Sequence, residues 1–382
     1  MSKSAPAGVL ISAPVRVLII ADDLTGAMDA AGPFASRGLV TVVVASPDEC
    51  DAQQVAHASV VSVNTESRHL PLPQAAARIE SAFRRLGGAG FAVVVKKIDS
   101  TLRGNVIGET VAALHASGRG RAIVAPAFPK QGRTVVDGCV LVDGVPLAET
   151  AFVHDALSPA LQQPLAAAFA ATGIDAVIHD ASTDADLDAV LASVRLSAAP
   201  LLVGSAGLTA ALARALPGGE PTSPAVVEGR IVYIVGSRAA SSREQIMQLA
   251  SAGVRVVLAP NGEPVDDGMA LDGDFVIAAT RAADGTEIGA AEVAARLAGH
   301  ALAAARVDGT GAIVATGGDT AMAILRAAGR PALDVSGELL PGIACARLAV
   351  GDRVVWLVTK AGGFGAADAL LRIGQRLRGD AG

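Results

Sequence analysis

Three features of this sequence predict an α/β fold built as two units, each a mostly parallel sheet flanked by helices, with a ligand cleft between them. One is extent, since 382 residues is about twice the usual span of a single domain. Another is composition. Hydrophobic residues make up 51% of the chain but aromatics only 3%, so the interior has to be built from Ala, Val, Leu and Ile, the residues of parallel strands covered on both faces. The last is rhythm: short β-branched runs alternate with Ala-rich helical stretches from residue 15 almost to the end.

Residues 1–14 carry one Lys and weak apolar character, without the apolar core of a signal peptide, and are read as a disordered extension. The apolar run 15–21 is the first strand. It ends in Asp22-Asp23-Leu24-Thr25-Gly26, from which a helix should run to about Arg37. Further buried strands are expected at 40–45, 59–63, 91–97, 122–125, 176–179 and 201–203. Between them, residues 131–150 place Gly and Asp close together among short Val and Leu runs, which suits a hairpin. The stretch 217–224 holds three prolines and two glycines and interrupts helix and strand patterning alike. The first unit is therefore expected over 15–220, a linker over 221–228 and the second unit over 229–382. Strands in the second unit are expected at 230–235, 255–259, 275–278, 312–315 and 354–359.

The net charge of −6 comes from well-mixed signs, with no Lys/Arg run to track a phosphate backbone, so nucleic acid is not an expected partner. No run of about 18 apolar residues marks a membrane span. Cys50, Cys139 and Cys345 are far apart and in no C-x-x-C pair, which predicts reduced, packed thiols and a cytoplasmic protein.

Three polar clusters in the first unit sit where strands end, at the sheet edge where open α/β folds bind ligands. Asp22 and Asp23 can accept a proton from a hydroxyl or hold a magnesium ion, and either one can equally serve as a plain helix cap. In the segment from Lys96 to Asn105, Lys96, Lys97 and Arg103 suit an anion, either a carboxylate or a transferring phosphoryl group. Asp99 and Ser100 offer groups to orient a hydroxyl. The competing reading is a surface loop capping a strand. In Asn64-Thr65-Glu66-Ser67-Arg68-His69, Arg68 can grip a carboxylate through two parallel hydrogen bonds, and His69 is given no role. Lys130 and Arg133 belong to the same edge, lining it or covering it.

In the second unit three strands run into glycine-rich turns: Gly236-Ser237-Arg238-Ala239, Thr316-Gly317-Gly318-Asp319-Thr320 and Lys360-Ala361-Gly362-Gly363-Phe364-Gly365. Bare amides in such turns point at an anion. One turn alone is the ordinary way into a helix, whereas three at one edge form a nucleotide cradle. None matches a P-loop or a dinucleotide fingerprint, which disfavours a Rossmann dehydrogenase. The Asp22-Asp23 pair also lacks the D-x-D spacing of haloacid dehalogenase phosphatases.

Taken together, Ile20-Ala21-Asp22-Asp23-Leu24-Thr25-Gly26-Ala27 and Lys96-Lys97-Ile98-Asp99-Ser100-Thr101-Leu102-Arg103-Gly104-Asn105 resemble the four-carbon acid sugar kinase family, once a domain of unknown function, over about residues 15–377. The resemblance implies an N-terminal unit that binds the sugar acid and a C-terminal unit that binds ATP. It also implies Mg2+ and transfer of phosphate to the terminal hydroxyl of threonate, erythronate or 3-oxo-tetronate. With the residue reading above, it assigns Asp22, Arg68, Lys96, Lys97, Asp99, Ser100 and Arg103 to the acid. Asp22 or Asp23 should deprotonate the hydroxyl while Lys97 offsets charge, and Ser237, Gly317, Gly318, Asp319, Thr320, Gly362 and Gly363 should contact ATP. Two departures stand out. Asp319 replaces a frequent Glu, and Ala361-Gly362-Gly363-Phe364-Gly365 replaces Ser-Gly-Asn-Phe-Gly, leaving phosphate contact there to amides and Lys360. The units are expected to close about the 217–224 linker during chemistry. A homo-oligomer is compatible with this reading. A two-lobed sugar-acid sensor is the alternative, and it would have no need of the three glycine turns; a nucleotide-dependent oxidoreductase ranks with it, below the kinase.

Overall fold

The computed structural model describes residues 15–87, 90–155, 158–222, 225–263 and 273–380. The expected extension at 1–14, and Ser223 and Pro224 of the expected linker, lie outside them. The first half supplies strands β1 (Val17–Ala21), β2 (Thr41–Val44), β3 (Val60–Asn64), β4 (Val93–Lys97), β5 (Ala122–Ala125), β6 (Arg133–Val136), β7 (Cys139–Val142), β8 (Val145–Pro146), β9 (Ala176–Ile178) and β10 (Leu201–Gly204). Its helices are α1 (Leu24–Ser36), α2 (Leu72–Arg85), α3 (Val106–Ala116), α4 (Leu165–Ala170), α5 (Asp184–Ser193) and α6 (Ala206–Ala215). The second half supplies β11 (Arg230–Val235), β12 (Arg255–Pro260), β13 (Phe275–Thr280), β14 (Thr310–Thr316), β15 (Ala332–Leu340), β16 (Ile343–Val350) and β17 (Arg353–Lys360). Helices α7 (Ala240–Ser251), α8 (Ala290–Arg306), α9 (Gly318–Ala327) and α10 (Ala369–Leu377) cover it. Every expected strand is present within two residues of its expected limits, and residues 131–150 form the antiparallel sheet β6-β7-β8. The pair β15 and β16 has no counterpart among the expected strands.

That pair joins the halves. The sheet runs without a break as β12-β13-β11-β14-β17-β16-β15-β2-β3-β1-β4-β10-β5-β9. The seam is the antiparallel pairing of Ala332, Leu333 and Asp334 with Val44, Val43 and Val42. In each half the first strand lies inside the sheet, the next two strands build to one side and the fourth is added on the other, giving β2-β3-β1-β4 and β12-β13-β11-β14. The strand order reverses at β1 and at β11, and crevices open beyond the carboxyl ends of strands at such reversals. The parallel strands of the two halves run in opposite senses by hydrogen bonding. Six strand-to-strand steps separate β1 from β14, and at about 20–25° of twist per step they accumulate roughly 120–150°. This rotation turns both carboxyl edges toward one shared cleft.

Helix α1 lies between the halves. Eleven of its thirteen residues are buried, as expected of a helix that is apolar all round because it is covered all round. Ala30 and Phe34 pack into the first half's core, while Leu24, Ala27, Met28, Ala31 and Ala35 pack with α8, α9 and strands of the second. The expected linker is fastened rather than free. Gly219 N donates to Arg37 O at 2.8 Å, and Thr222 Oγ1 donates to Ser336 O at 2.8 Å. A Cβ at Gly38, where φ is +75°, would stand 2.1 Å from Glu220 O, so only glycine lets the strap lie this close. All three cysteines are free, and Cys50 and Cys345 are buried; Cys139 is exposed, against expectation, because it faces outward at the start of β7. Among the described residues no helix is long and apolar enough to cross a membrane.

Candidate active site

Both carboxyl edges line one cleft of about 650 Å³. On the first half's side, β1 is buried from Val17 to Ala21 and delivers Asp22 and Asp23 to the edge. Asp23 caps α1: its Oδ1 accepts from Gly26 N at 2.7 Å and its Oδ2 from Thr25 Oγ1 at 2.7 Å. The turn after β3 folds back so that Ser67 N donates to Asp22 O at 2.9 Å. Arg68 is thereby aimed at both carboxylates. Its Nε and Nη2 donate to Asp22 Oδ2 and Oδ1 at 2.7 and 3.0 Å, and its Nη1 donates to Asp23 Oδ2 at 2.8 Å. The guanidinium expected to grip a substrate carboxylate already grips two of the protein's own.

After β4, Asp99 holds Arg103 by two hydrogen bonds of 2.9 and 3.0 Å and accepts from the Thr101 hydroxyl. Its Oδ1 also stands 3.9 Å from Arg68 Nη2. Alternating carboxylates and guanidiniums thus run from Asp23 to Arg103. Burial acts to raise the carboxyl pKa of Asp22 and Asp99, but the adjacent Arg68 and Arg103 outweigh it and hold both below the usual range, Asp99 well below. Ser100 and Arg103 line the cleft, as does Arg133, whose guanidinium lies 5.9 Å over the Phe364 ring. Lys130 instead pairs with Asp184 at 3.1 Å.

Lys96 does not reach the cleft, which corrects its assignment to the acid. Successive side chains of a strand point to opposite faces. Lys97 faces the cleft, while Lys96 is fully buried on the other face, 2.8 Å from Glu109 of α3. Lys97 stands 3.4 Å from Asp29 of α1, and although burial would lower its amine pKa, Asp29, Asp22 and Asp23 raise it.

On the second half's side, Ser237, Gly317, Gly318, Asp319, Thr320, Gly362 and Gly363 all line the cleft. Gly317 caps α9 with φ +104°, a conformation that side chains rarely adopt, and donates to Lys360 O at 2.8 Å. Ser242 Oγ ties the other two turns together, donating to Gly362 O and lying within hydrogen-bond distance of the Ser237 hydroxyl, 2.9 Å in each case. Lys360, expected beside a phosphate, is fully buried beneath its loop and donates to Ala361 O and Gly362 O at 2.9 Å. Burial, with no carboxylate beside it among the described residues, pushes its amine pKa down to about 7. The two edges touch: a Cβ on Gly318 would sit 3.2 Å from Asp23 Oδ2.

Sequence reasoning missed three features. Asp29 lines the cleft, and its one available signal was a lone carboxylate in an otherwise apolar helix. Glu66 lies 2.6 Å from Arg326 of α9 and bridges the halves, while Phe128 and Phe364 meet across them with ring centroids 6.1 Å apart. These pairings join residues far apart in the chain, and no local pattern announces them.

An acid-and-cation network at one switch point, facing bare helix-terminal amides at another, defines a two-lobed phosphotransferase. Residues 17–171 match the family described as Sugar-binding N-terminal domain, and residues 232–370 that described as Nucleotide-binding C-terminal domain. The chain is 32% identical to a D-threonate kinase of Bordetella bronchiseptica, over 94% of this chain and 97% of the relative. It is 34% identical to a D-threonate kinase of Cupriavidus necator, again over 94% and 97%. A crystal structure of a Salmonella typhimurium protein, 20% identical, shares the fold with a TM-score of 0.71 over 94% of this chain and 98% of that one. The chain belongs to the four-carbon acid sugar kinase family, and it is a kinase.

Proposed function

We propose that this protein transfers the γ-phosphoryl group of ATP to the terminal 4-hydroxyl of a four-carbon sugar acid (threonate, erythronate or 3-oxo-tetronate) in carbohydrate-acid catabolism. The observation that carries this reading is the approach of Asp23 to Gly318. It sets a hydroxyl-binding edge against amides suited to phosphate, as in-line transfer requires. ATP would lie along the turns at Ser237, Gly317 to Thr320 and Gly362-Gly363, its phosphates against the N-terminus of α9. The acid would lie along Asp22, Lys97, Ser100 and Arg103, with Arg68 and Asp99 holding that edge rigid rather than touching the carboxylate alone.

Among the described residues no group of three or more His, Cys, Asp or Glu could hold a metal. Mg2+ does not need such a group, since it is carried by nucleotide phosphates and water with one or two carboxylates. Asp319, exposed in the first turn of α9, is the carboxylate we assign to it. The ion would supply charge neutralisation on the phosphate oxygens. Three free thiols fit a reducing compartment, and we place the enzyme in the cytoplasm.

The test is ADP release with ATP and Mg2+ against D- and L-threonate, D- and L-erythronate and their 3-oxo forms, with D-threonate first. One acid should stimulate release far above the ATP-only rate. If none does while ATP still raises the melting temperature, the substrate assignment is overturned.

A further inference from the structure

A hydroxyl attacking phosphorus has to lose its proton, and the carboxylates of the cleft differ in their freedom to take it. Both oxygens of Asp22 are bonded to Arg68. Those of Asp23 are held by Gly26, Thr25 and Arg68, and those of Asp99 by Arg103 and Thr101. Glu66 is paired with Arg326 and Arg78. Asp29 differs from all of these. Its Oδ1 is buried and has no well-formed hydrogen bond among the described residues, its one charged neighbour at contact being Lys97, 3.4 Å away.

We propose that Asp29 is the proton acceptor for the hydroxyl that attacks the γ-phosphoryl group, a role for which Asp22 or Asp23 was expected from sequence; this rests on the phosphoryl-transfer reading above. In the step, the substrate O–H bond breaks and its proton passes to the Asp29 carboxylate. The freed oxygen forms a bond to phosphorus, and the bond from phosphorus to the bridging oxygen breaks with its electron pair leaving on ADP. Asp29 then returns the proton to water. Lys97, on β4, stands beside both Asp29 and the Asp22-Asp23 turn and offsets the charge that builds there.

The charge environment agrees with the geometry. Burial raises the Asp29 carboxyl pKa to about 7, with Lys97 from β4 opposing the rise, and Asp23 from the β1–α1 turn and Glu338 from β15 adding to it. A base poised near neutrality is both ionised enough and basic enough to take a hydroxyl proton.

The experiment is steady-state kinetics of wild type and Asp29→Asn with ATP, Mg2+ and the acid that the panel selects, across pH 5.5–9. Asn is nearly isosteric with the carboxylate and leaves Lys97 beside Asp22 and Asp23, so the fold should persist, checked by an unchanged ADP-induced thermal shift. The expected result is a fall in kcat of roughly 10²- to 10⁴-fold, with KM for either substrate little changed. Wild-type kcat/KM should decline below about pH 7, and the variant's residual activity should lack that decline. Retained kcat, or the same acid limb in the variant, overturns the proposal. A rise in KM with kcat intact also overturns it, since that marks a positioning role through Lys97. The wild-type pH limb tests the proposal even if the variant misfolds. An inactive wild type overturns the kinase reading first and this proposal with it.

Discussion

Arg68 shows how pairing decides the role of a charge. Its side chain is 10% exposed and that of Asp22 6%, so removing one partner leaves the other buried and uncompensated. Arg68→Met should cost about 3–5 kcal/mol of stability, read by urea denaturation, and should abolish turnover. Lys360 poses the opposite problem, a buried amine without a counter-charge among the described residues. Its pKa falls from 10.5 in the unfolded chain to about 7 in the fold, so between these values unfolding takes up a proton and stability rises with pH. Below about 7 the full penalty applies, on the order of 5 kcal/mol. Lys360→Met should therefore gain stability relative to wild type near pH 7, and the gain should shrink toward pH 10; a constant difference across that range would sink the account. The site's motifs were legible from residue type at strand ends, which is how Asp22, Lys97, Arg103 and the glycine turns were found. Which way a side chain faces was less so. Lys96 and Lys97 are adjacent and chemically alike, and only the pleat sends one to Glu109 and the other to the cleft.

Strands buried on both faces announce themselves as unbroken apolar runs, and those of the two parallel stretches were read correctly, whereas β16, buried from Ile343 to Ala346 but broken by Arg347, was not. Strand β15 is different: Leu333 and Val335 are buried, but Asp334 between them is exposed, and Ser336 and Glu338 continue the polar interruption. Antiparallel strands with one covered face alternate in this way and are easily lost among loops. The glycine turns bear on function through close approach. A Cβ at Gly362 would lie 2.8 Å from Ser237 Oγ and 3.0 Å from Ser237 Cβ, so Gly362→Ala must displace one of the turns assigned to ATP. We expect a cost of about 1–3 kcal/mol, or roughly ten- to hundredfold in KM for ATP, with KM for the acid unaffected. Equal losses for both substrates in the kinetics would instead mean that the turn supports the whole cleft.

Taken as a whole, the molecule resists the hinge that a linker of three prolines and two glycines led us to expect. A sheet hydrogen-bonded across the seam, a strap tied to Arg37 and Ser336, and the Glu66–Arg326 pair all span the halves. Bending there would break backbone ladder bonds. The radius of gyration from small-angle scattering should accordingly stay the same, within error, when ADP and the acid are added, and a clear contraction would show that the seam opens and closes. The same seam sets a timetable for synthesis. Strand β2 emerges from the ribosome about 290 residues before the β15 segment that completes its outer edge, a wait of roughly 15 to 60 s at ordinary elongation rates. Throughout it the nascent first half carries Thr41–Val44 as a bare apolar border, open to pairing with a neighbouring chain. Translation speed and chaperone supply, rather than the equilibrium stability of the finished protein, would then govern the yield of correctly joined molecules.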